Sequence, residues 1–524
     1  MAIQISGTEV ISNSRGLNNI ASVDATTAAS ISAAGVGGGG TVDFTADGAI
    51  SAGDVVVLNS DGTVSTVTQT STPLTEATSG SLTSATQIMN HTGGVYDSTN
   101  QTVIITYGYS STGYLTVVIG TVGSGNTITL GTPIVASSAA SSVQGNRTSA
   151  AYDPVNNKVV ILASYGTSLR AIAGTPSSSS ISFGSLHTIY SGTPRREDFS
   201  ICFDPDTSKF IAFFNDQDNS FTARASVLSL SGTTLSSSTP TQMSGTSGGT
   251  SCSQFANVIY DENINRVIFV YQRAASQQYV LGTVSGSSIS YSSENYLTSQ
   301  YANSNNNWLS FDSSTNKVFW TYYSTGAYAY ARVLTFTTSS VSAGSQTQVS
   351  PITVSGIGTY HAYDSTNNNF PIVYASNSSP YKYYIRVATI SGTTITLNTT
   401  HELDDPNGYD YKMNLPIPDL ASGKVVSVAS VYQGGTSENG AIVSTTASLT
   451  SDNDSWIGIS TEAIADTATG TVTVIGGVND QQSGLTVGSV YYVGNDGSLS
   501  TSTSGVKIGK ALAATDLLIT EGNT

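Results

Sequence analysis

Apolar positions in this chain fall in short runs that alternate with polar residues or stay continuous for about half a dozen positions, then stop at Gly, Ser, Asn or Pro. A period of two marks β-strands, and the punctuation is that of turns. One pattern recurs: an aromatic–Asp pair, a short polar turn, then a basic or polar residue leading an apolar run. It reads VYDSTNQTVIITY at Asp97, AYDPVNNKVVILA at Asp153, CFDPDTSKFIAFF at Asp204 and IYDENINRVIFVY at Asp261. It returns as SFDSSTNKVFWTY at Asp312 and AYDSTNNNFPIVY at Asp364, with a worn copy, IPDLASGKVVSVA, at Asp419. The spacings of 56, 51, 57, 51, 52 and 55 residues are too even for coincidence.

Each unit predicts the same strands. In the second, TSAAY ends at Asp153-Pro154-Val155-Asn156-Asn157, a type I-like turn in which Asp accepts backbone N–H bonds and Pro presets φ. KVVILAS follows, then LRAIAGTP and ISFGSLHTIY across a Ser-rich turn. SVLSLSGTTLSSSTPTQM, LGTVSGSSISYSSENYL and VATISGTTITLNTTHEL likewise give two strands around an SG-type turn. Four strands in about 50 residues is the blade of a β-propeller. The expected fold class is therefore all-β, with a seven-bladed β-propeller over residues 85–449. A linear β array is the alternative, but equal units that close into a ring leave no exposed sheet edge. Asp97, Asp153, Asp204, Asp261, Asp312, Asp364 and Asp419 then serve the blade turns. Catalysis needs different groups converging on one point, and the sialidase-type Asp box (Ser-x-Asp-x-Gly-x-Thr-Trp) is not what these turns spell.

Outside the repeats, AISAGDVVVLNSDGTVS (49–65) aligns with GLTVGSVYYVGNDGSLS (484–500). Both open an apolar strand after a Gly turn and close it with an Asp-Gly hairpin. Residues 41–84 and 450–524 are expected to form one small β-domain with the propeller inserted at a loop tip, two separate modules being the alternative. The first forty residues are rich in small side chains. Asp24 could cap a short helix from Ala25 to Ala34 ended by Gly35, and Gly37 to Gly40 make a joint. The stretch reads as a docking or oligomerising arm, or else as a disordered leader.

Composition narrows the function. Charged residues are 10% of the chain, against about 25% in ordinary domains, and the net charge is −16. Eighteen basic residues can hardly supply a phosphate-neutralising face, so nucleic acid is not an expected partner. No apolar h-region follows Met1 and no run is long enough to span a bilayer, so neither secretion by signal peptide nor membrane insertion is expected. Cys202 and Cys252 read as buried free thiols, and His91, His187, His361 and His401 as ordinary surface residues away from ligand spacing. With no Gly-x-Ser-x-Gly, His-Glu-x-x-His, phosphate loop or EF-hand, no enzyme activity, metal or cofactor is expected. The acidic stretch Glu402, Asp404, Asp405 and Asp410 matches no Ca²⁺ loop.

Binding offers two leads. Arg195-Arg196-Glu197-Asp198, in what reads as an inter-blade loop, could grip an acidic sugar; its plainer reading is a solvated loop paired with itself. Tyr328, Tyr330, Tyr381 and Tyr383, among the tyrosines crowding units five to seven, could face sugar rings or a protein patch. Their plainer role is packing between blades.

The leader SGTEVISNSRGLNNIASVDATTAASISAAGVG resembles the attachment stretch of bacteriophage tail-fibre proteins, particularly those of marine and cyanobacterial phages. The run from WIGISTEAIADTATGTVTVIGGV to LTVGSVYYVGNDGSLSTSTSGVKIGKALAATDLLI looks like a β-module at the ends of phage structural proteins. The resemblance implies a virion appendage made in the host cytoplasm, docked on other virion proteins through its N-terminal arm. It implies a homo-oligomer, with a trimer favoured, and a host-surface polysaccharide or receptor as partner. A head decoration or vertex fibre and a polysaccharide-degrading tailspike are the alternatives.

Overall fold

The structure, a computed structural model, describes residues 3–5, 8–11, 40–71, 75–76, 80–81, 93–109, 112–123, 127–138, 148–243, 257–273, 276–298, 307–324, 328–377, 382–398, 400–403, 410–433, 437–446, 449–494, 497–501 and 505–520. Among them the chain is all-β, its only helical pieces being two short 3₁₀ turns. No helix among the described residues is long and apolar enough to cross a membrane. The proposed helix at 25–34 lies outside the described residues, as does Cys252; Cys202 is a buried free thiol. The chain divides into two compact units, residues 71–449 and residues 1–70 with 450–524.

Among the described residues the larger unit contains seven five-stranded antiparallel sheets. The second is typical: Thr148–Asp153, Lys158–Tyr165, Ser168–Pro176 and Ile181–Phe183 form a meander, and His187–Tyr190 folds back on the free half of the third strand. The second strand, KVVILASY, is buried along nearly its whole length because both its faces are covered. Val160 and Leu162 join the core shared with the third sheet, whereas Val159, Ile161 and Ala163 join the core shared with the first. A continuous apolar run is therefore required there, and each such side chain contributes about 1.5–3 kcal/mol on burial.

Similar cores join the third sheet to the fourth, the fourth to the fifth and the fifth to the sixth. Ile417 and Val426 of the seventh sheet pack with Val103, Ile105 and Tyr107 of the first. Each sheet's first strand lies beside the first strand of the next, and Asp410–Asp419 of the seventh lies beside Gly93–Asp97 of the first. The seventh sheet also takes in strands from the start of the unit, since Thr75–Glu76 and Gly80–Ser81 pair with Ser437–Thr446. The unit thus begins at Ser71, ahead of the expected boundary at 85, because strands of two residues leave no readable alternation.

Among the described residues the smaller unit contains two five-stranded sheets of one topology, besides a two-stranded sheet of Ile3–Ile5 and Thr8–Ile11. The first runs Thr41–Thr45, Val55–Leu58, Val64–Thr66, Trp456–Ser460 and Thr469–Val474 in chain order. The second runs Val478–Asn479, Val490–Val493, Leu499–Ser500, Val506–Ala511 and Leu517–Ile519. In both, the spatial order is first, fifth, fourth, second, third. The fourth strands carry matching bulges, in which Ile457 is the extra residue opposite Val56 and Val57, and Ile508 the extra residue opposite Tyr491 and Tyr492. Beside the bulges, Gly458 and Gly509 pair with Val56 and Tyr491 of the second strands at equivalent places. A Cβ there would sit 2.2 Å from the Thr473 carbonyl oxygen or 2.1 Å from that of Leu518, so neither position admits a side chain.

Candidate functional site

The seven recurring aspartates are buried, and each closes its own turn. Asp153 shows the scheme: Oδ1 accepts from the amides of Val155 (3.0 Å) and Asn156 (3.1 Å), while Oδ2 accepts from Asn156 Nδ2 (2.8 Å). The third residue after the Asp supplies the same side-chain bond from Asn100, Thr207, Thr315, Asn367 and Ser422. In the fourth sheet that residue is Ile264, which has no polar group to offer, and burial raises the Asp261 carboxyl above its ordinary range. The fourth residue after every Asp has positive φ: Gln101, Asn157, Ser208, Asn265, Asn316, Asn368 and Gly423. Asn and Gly tolerate that backbone best, which explains their recurrence.

The aromatic residue before the Asp reaches the turn of the preceding sheet. The Tyr152 hydroxyl donates to Thr99 Oγ1 (2.7 Å), and that of Tyr260 to Asp206 Oδ2 (2.7 Å). Tyr363 lies beside Asp312, and burial with this carboxylate raises its phenol. Tyr96 lies beside Asp419 of the seventh sheet, where burial and that carboxylate push its phenol up to about 12. These turns are structural latches, their buried carboxylates taken up by the groups of their own loops.

Arg195 lies elsewhere, at the opposite end of the third sheet. The segment expected as an inter-blade loop is instead part of the strand Pro194–Asp204, whose register jumps between Pro194 and Phe199. The bulge turns Asp198 inward to 1% exposure, where Oδ2 meets Arg195 Nε (3.1 Å) and Asn215 Nδ2 (3.4 Å). The Arg195 guanidinium lies over the Phe221 ring, 5.4 Å from its centroid. Phe221 and Ser220 both hold positive φ, 58° and 57°, so two adjacent residues are in a conformation costly for L side chains. The Arg196 and Glu197 side chains are outside the described set.

What holds that strained turn is a second ion pair. Asp216, wholly buried, accepts from the Asp218 amide (3.2 Å), Asn219 Nδ2 (2.6 Å) and Arg224 Nε (2.7 Å). Both arginines are thus fixed through Nε by a buried carboxylate. Arg224 Nη1 reaches only the Pro240 carbonyl at 3.5 Å, and the other guanidinium N–H groups of the pair make no further hydrogen bond among the described residues. Their outer edges can donate in the plane to hydroxyl or carboxylate oxygens. In the second sheet Arg170 lies 5.4 Å from the Tyr165 ring centroid, with Nε on Ser168 Oγ.

The tyrosine lead resolves differently. Tyr328 and Tyr330 are half-buried, and Tyr330 packs against the core between the fourth and fifth sheets. It stacks on Tyr322, which stacks on Trp320, with ring centroids 6.3 and 4.2 Å apart. Tyr381 and the side chain of Tyr383 lie outside the described residues. Glu402 pairs with Lys382 at 2.6 Å, whereas Asp404 and Asp405 lie outside the described set. Among the described residues no three His, Cys, Asp or Glu side chains gather as metal ligands. His361 corrects the expectation of a surface residue: it is wholly buried, with Nε2 on the Trp308 carbonyl (3.1 Å) and its ring edge-on to Phe319 and Phe370.

No family model and no curated protein matches the chain. Among solved structures, the chain is similar to the BP39L lectin from Burkholderia pseudomallei (9% identity, 67% of this chain and 98% of that one, TM-score 0.47). It is also similar to a Lactobacillus plantarum protein (11% identity, 74% and 100%, TM-score 0.42) and to AofleA from Arthrobotrys oligospora (8% identity, 66% and 94%, TM-score 0.39).

Proposed function

We propose that this chain is a virion appendage protein, a phage tail fibre or similar structure, whose residues 71–449 form a seven-bladed β-propeller that attaches to host-surface glycan. The propeller reading is supported by the cyclic neighbour order of the first strands and by the seventh sheet's use of the unit's own leading strands. The virion assignment rests on the tail-fibre likeness of the leader and the terminal module.

The observation that carries glycan binding is the pair of arginines at one end of the third sheet. Each is anchored by a buried carboxylate, is partly exposed and keeps N–H groups without a further partner among the described residues, and the Phe221 ring lies 5.4 Å from the Arg195 guanidinium. Such an edge suits the carboxylates and vicinal hydroxyls of an acidic polysaccharide. The same pairing weighs against a tailspike hydrolase at this place. A glycosidase needs one carboxyl to hold a proton and another to face the sugar, whereas Asp198 and Asp216 are both buried and tied to a guanidinium.

Titrating the purified protein with acidic host polysaccharide tests the reading. Arg195→Lys, which keeps a positive charge beside buried Asp198 but loses the planar guanidinium fork, is expected to weaken binding about ten-fold with little change in melting. New reducing ends on incubation would move the assignment to a degrading tailspike. Equal binding of neutral and acidic glycans by wild type and variant would refute the site.

A further inference from the structure

Because the two five-stranded sheets of the smaller unit share one topology, the first serves as a reference for the second. In the first, Ala46, Ile50, Val56, Val64, Ile464 and Val472 form a closed core with Phe44 packed against it. Two connections shut that core: residues 43–49 supply Phe44 and Ala46, and residues 461–471 supply Ile464, whose carbonyl accepts from the Ile50 amide (2.9 Å). The second sheet keeps the floor, since Leu485, Tyr491 and Leu499 take the places of Ile50, Val56 and Val64. Both connections change. Residues 480–484 read Asp-Gln-Gln-Ser-Gly, with no apolar side chain to supply. The other connection shortens to residues 512–516, where the Leu485 amide donates to the carbonyl of exposed Ala514 (3.0 Å) in place of an isoleucine.

What was a core in one sheet is thus a cleft in the other. It has a volume of about 550 Å³, is walled by Gln481, Gln482, Ser483, Ser500 and Thr501, and is bounded also by the turn Ala52-Gly53-Asp54. One wall is held by Asn479, which stands where the first sheet has Val42. A buried amide is costly unless its hydrogen bonds are met, and here they are. Asn479 is 0% exposed; Nδ2 donates to the Ser460 carbonyl (3.1 Å) and to Thr473 Oγ1 (3.2 Å). Its Oδ1 accepts from the Gln481 amide (3.1 Å) and from Gln482 Nε2 (3.2 Å), and Gln482 Nε2 donates its other hydrogen to the Gly53 carbonyl (3.0 Å). With both amide hydrogens engaged, Gln482 Oε1 is fixed as an acceptor that receives no hydrogen bond among the described residues. The Tyr491 hydroxyl accepts from the Thr486 amide (2.8 Å) and fixes the floor to that loop.

We infer that this cleft binds a neutral pyranose unit of a glycan, as a site in the smaller unit independent of the arginine pair. Its volume lies within the range of about 300–1,000 Å³ of small-molecule sites, which combine an apolar floor with a few fixed polar groups. Leu485, Leu499 and Tyr491 suit the C–H face of a sugar ring, while Gln482 Oε1 and the hydroxyls of Ser483, Ser500 and Thr501 suit its equatorial hydroxyls. Charge sets the class. No Lys, Arg or His lines the cleft, and its single ionisable side chain is the Asp54 carboxylate, so an acidic sugar would meet repulsion and no counter-charge.

Saturation-transfer NMR on the full-length chain tests this with the methyl glycosides of glucose, galactose, mannose and N-acetylglucosamine, beside methyl galacturonoside. At least one neutral glycoside is expected to receive saturation at its ring protons. Thr501→Trp, a change at an exposed wall residue, should fill the cleft and weaken that binding about ten-fold or more with melting unchanged. Ser483→Trp fills it from another exposed wall residue should the first variant fold poorly, with near-ultraviolet circular dichroism reporting native packing. Arg195→Lys should leave neutral binding as in wild type, so that failure of the arginine site and failure of this one are told apart. Absence of binding by all four neutral glycosides overturns the inference, and so does neutral binding that survives both tryptophans in folded protein. If the galacturonoside is instead the ligand that both tryptophans displace, the neutral assignment is wrong.

Discussion

At His361 the sequence Tyr-His-Ala-Tyr-Asp looks polar, yet the strand's register turns the imidazole between Phe319 and Phe370, where water does not reach it. Burial lowers its pKa to about 3, while an unfolded histidine titrates near about 6.5. The folded-state value is the lower one. The unfolded chain therefore takes up a proton that the folded chain refuses, and stability is fully present above about pH 6.5 and falls as pH drops toward 3. Asp261 and Asp364 act in the opposite sense: burial raises both carboxyls, so their contribution favours folding in acid and is lost as pH rises. Subtracting a His361→Gln stability profile from that of wild type cancels the aspartates. Between pH 6 and 4 wild type is expected to lose up to about 1.4 kcal/mol per pH unit more than the variant in chemical denaturation. Parallel profiles would mean that the imidazole is hydrated in solution.

Among the elements, the joints between sheets depend on single hydroxyls. Tyr152 and Tyr260 each tie a first strand to the turn of the sheet before it, whereas Phe203 and Phe311 hold the same place without a hydroxyl. With Pro418 before Asp419, the fold tolerates three such joints without the bond, so Tyr152→Phe or Tyr260→Phe should remain folded and cost about 0.5–1.5 kcal/mol each, with the loss of the carboxylate acceptor Asp206 toward the upper end. Equilibrium denaturation of the two variants checks the order, with Tyr260→Phe the costlier. The turn itself was legible in the sequence because Asp, the side-chain donor three residues on and the Asn or Gly four residues on all recur at fixed offsets. The latch was not, since it joins residues more than fifty positions apart that meet only through sheet packing. The arginine site divides the same way. Arg195 and Asp198 stand out as a charge run, but Asp216 and Arg224 lie on neighbouring strands and meet only through their pairing register. The two-residue strands that complete the seventh sheet carry no period at all.

For the whole molecule, the duplicated sheets show where the larger unit enters the smaller one. In the second sheet the third strand ends at Ser500 and the fourth begins at Val506, a short connection. In the first sheet the same connection runs from Thr66 to Trp456 and contains the whole of residues 71–449. Alignment of 49–65 with 484–500 exposes the first half of this duplication. The second half is obscured because Lys507 and Lys510 replace Trp456 and Ile459, as an outer face requires. Residues Gln69–Ser71 and Leu449–Ser451 pair with each other, and Asp452 accepts from the Thr68 amide (2.7 Å) and hydroxyl (2.8 Å), so the two ends of the break are already held together. Little closure entropy remains to be supplied by whatever joins them. Replacing residues 71–449 with an Asn-Gly turn should therefore leave a unit that keeps its β-type circular dichroism and melts cooperatively. Its shared core, Trp456 and Ile459 against Ile508 and Leu517, lies wholly outside the excised segment. Trp456 fluorescence would report that core, remaining blue-shifted before the melt and red-shifting through it. A chain that is unfolded after the excision would show that the smaller unit needs the larger one to form, and that the long connection is more than an insertion.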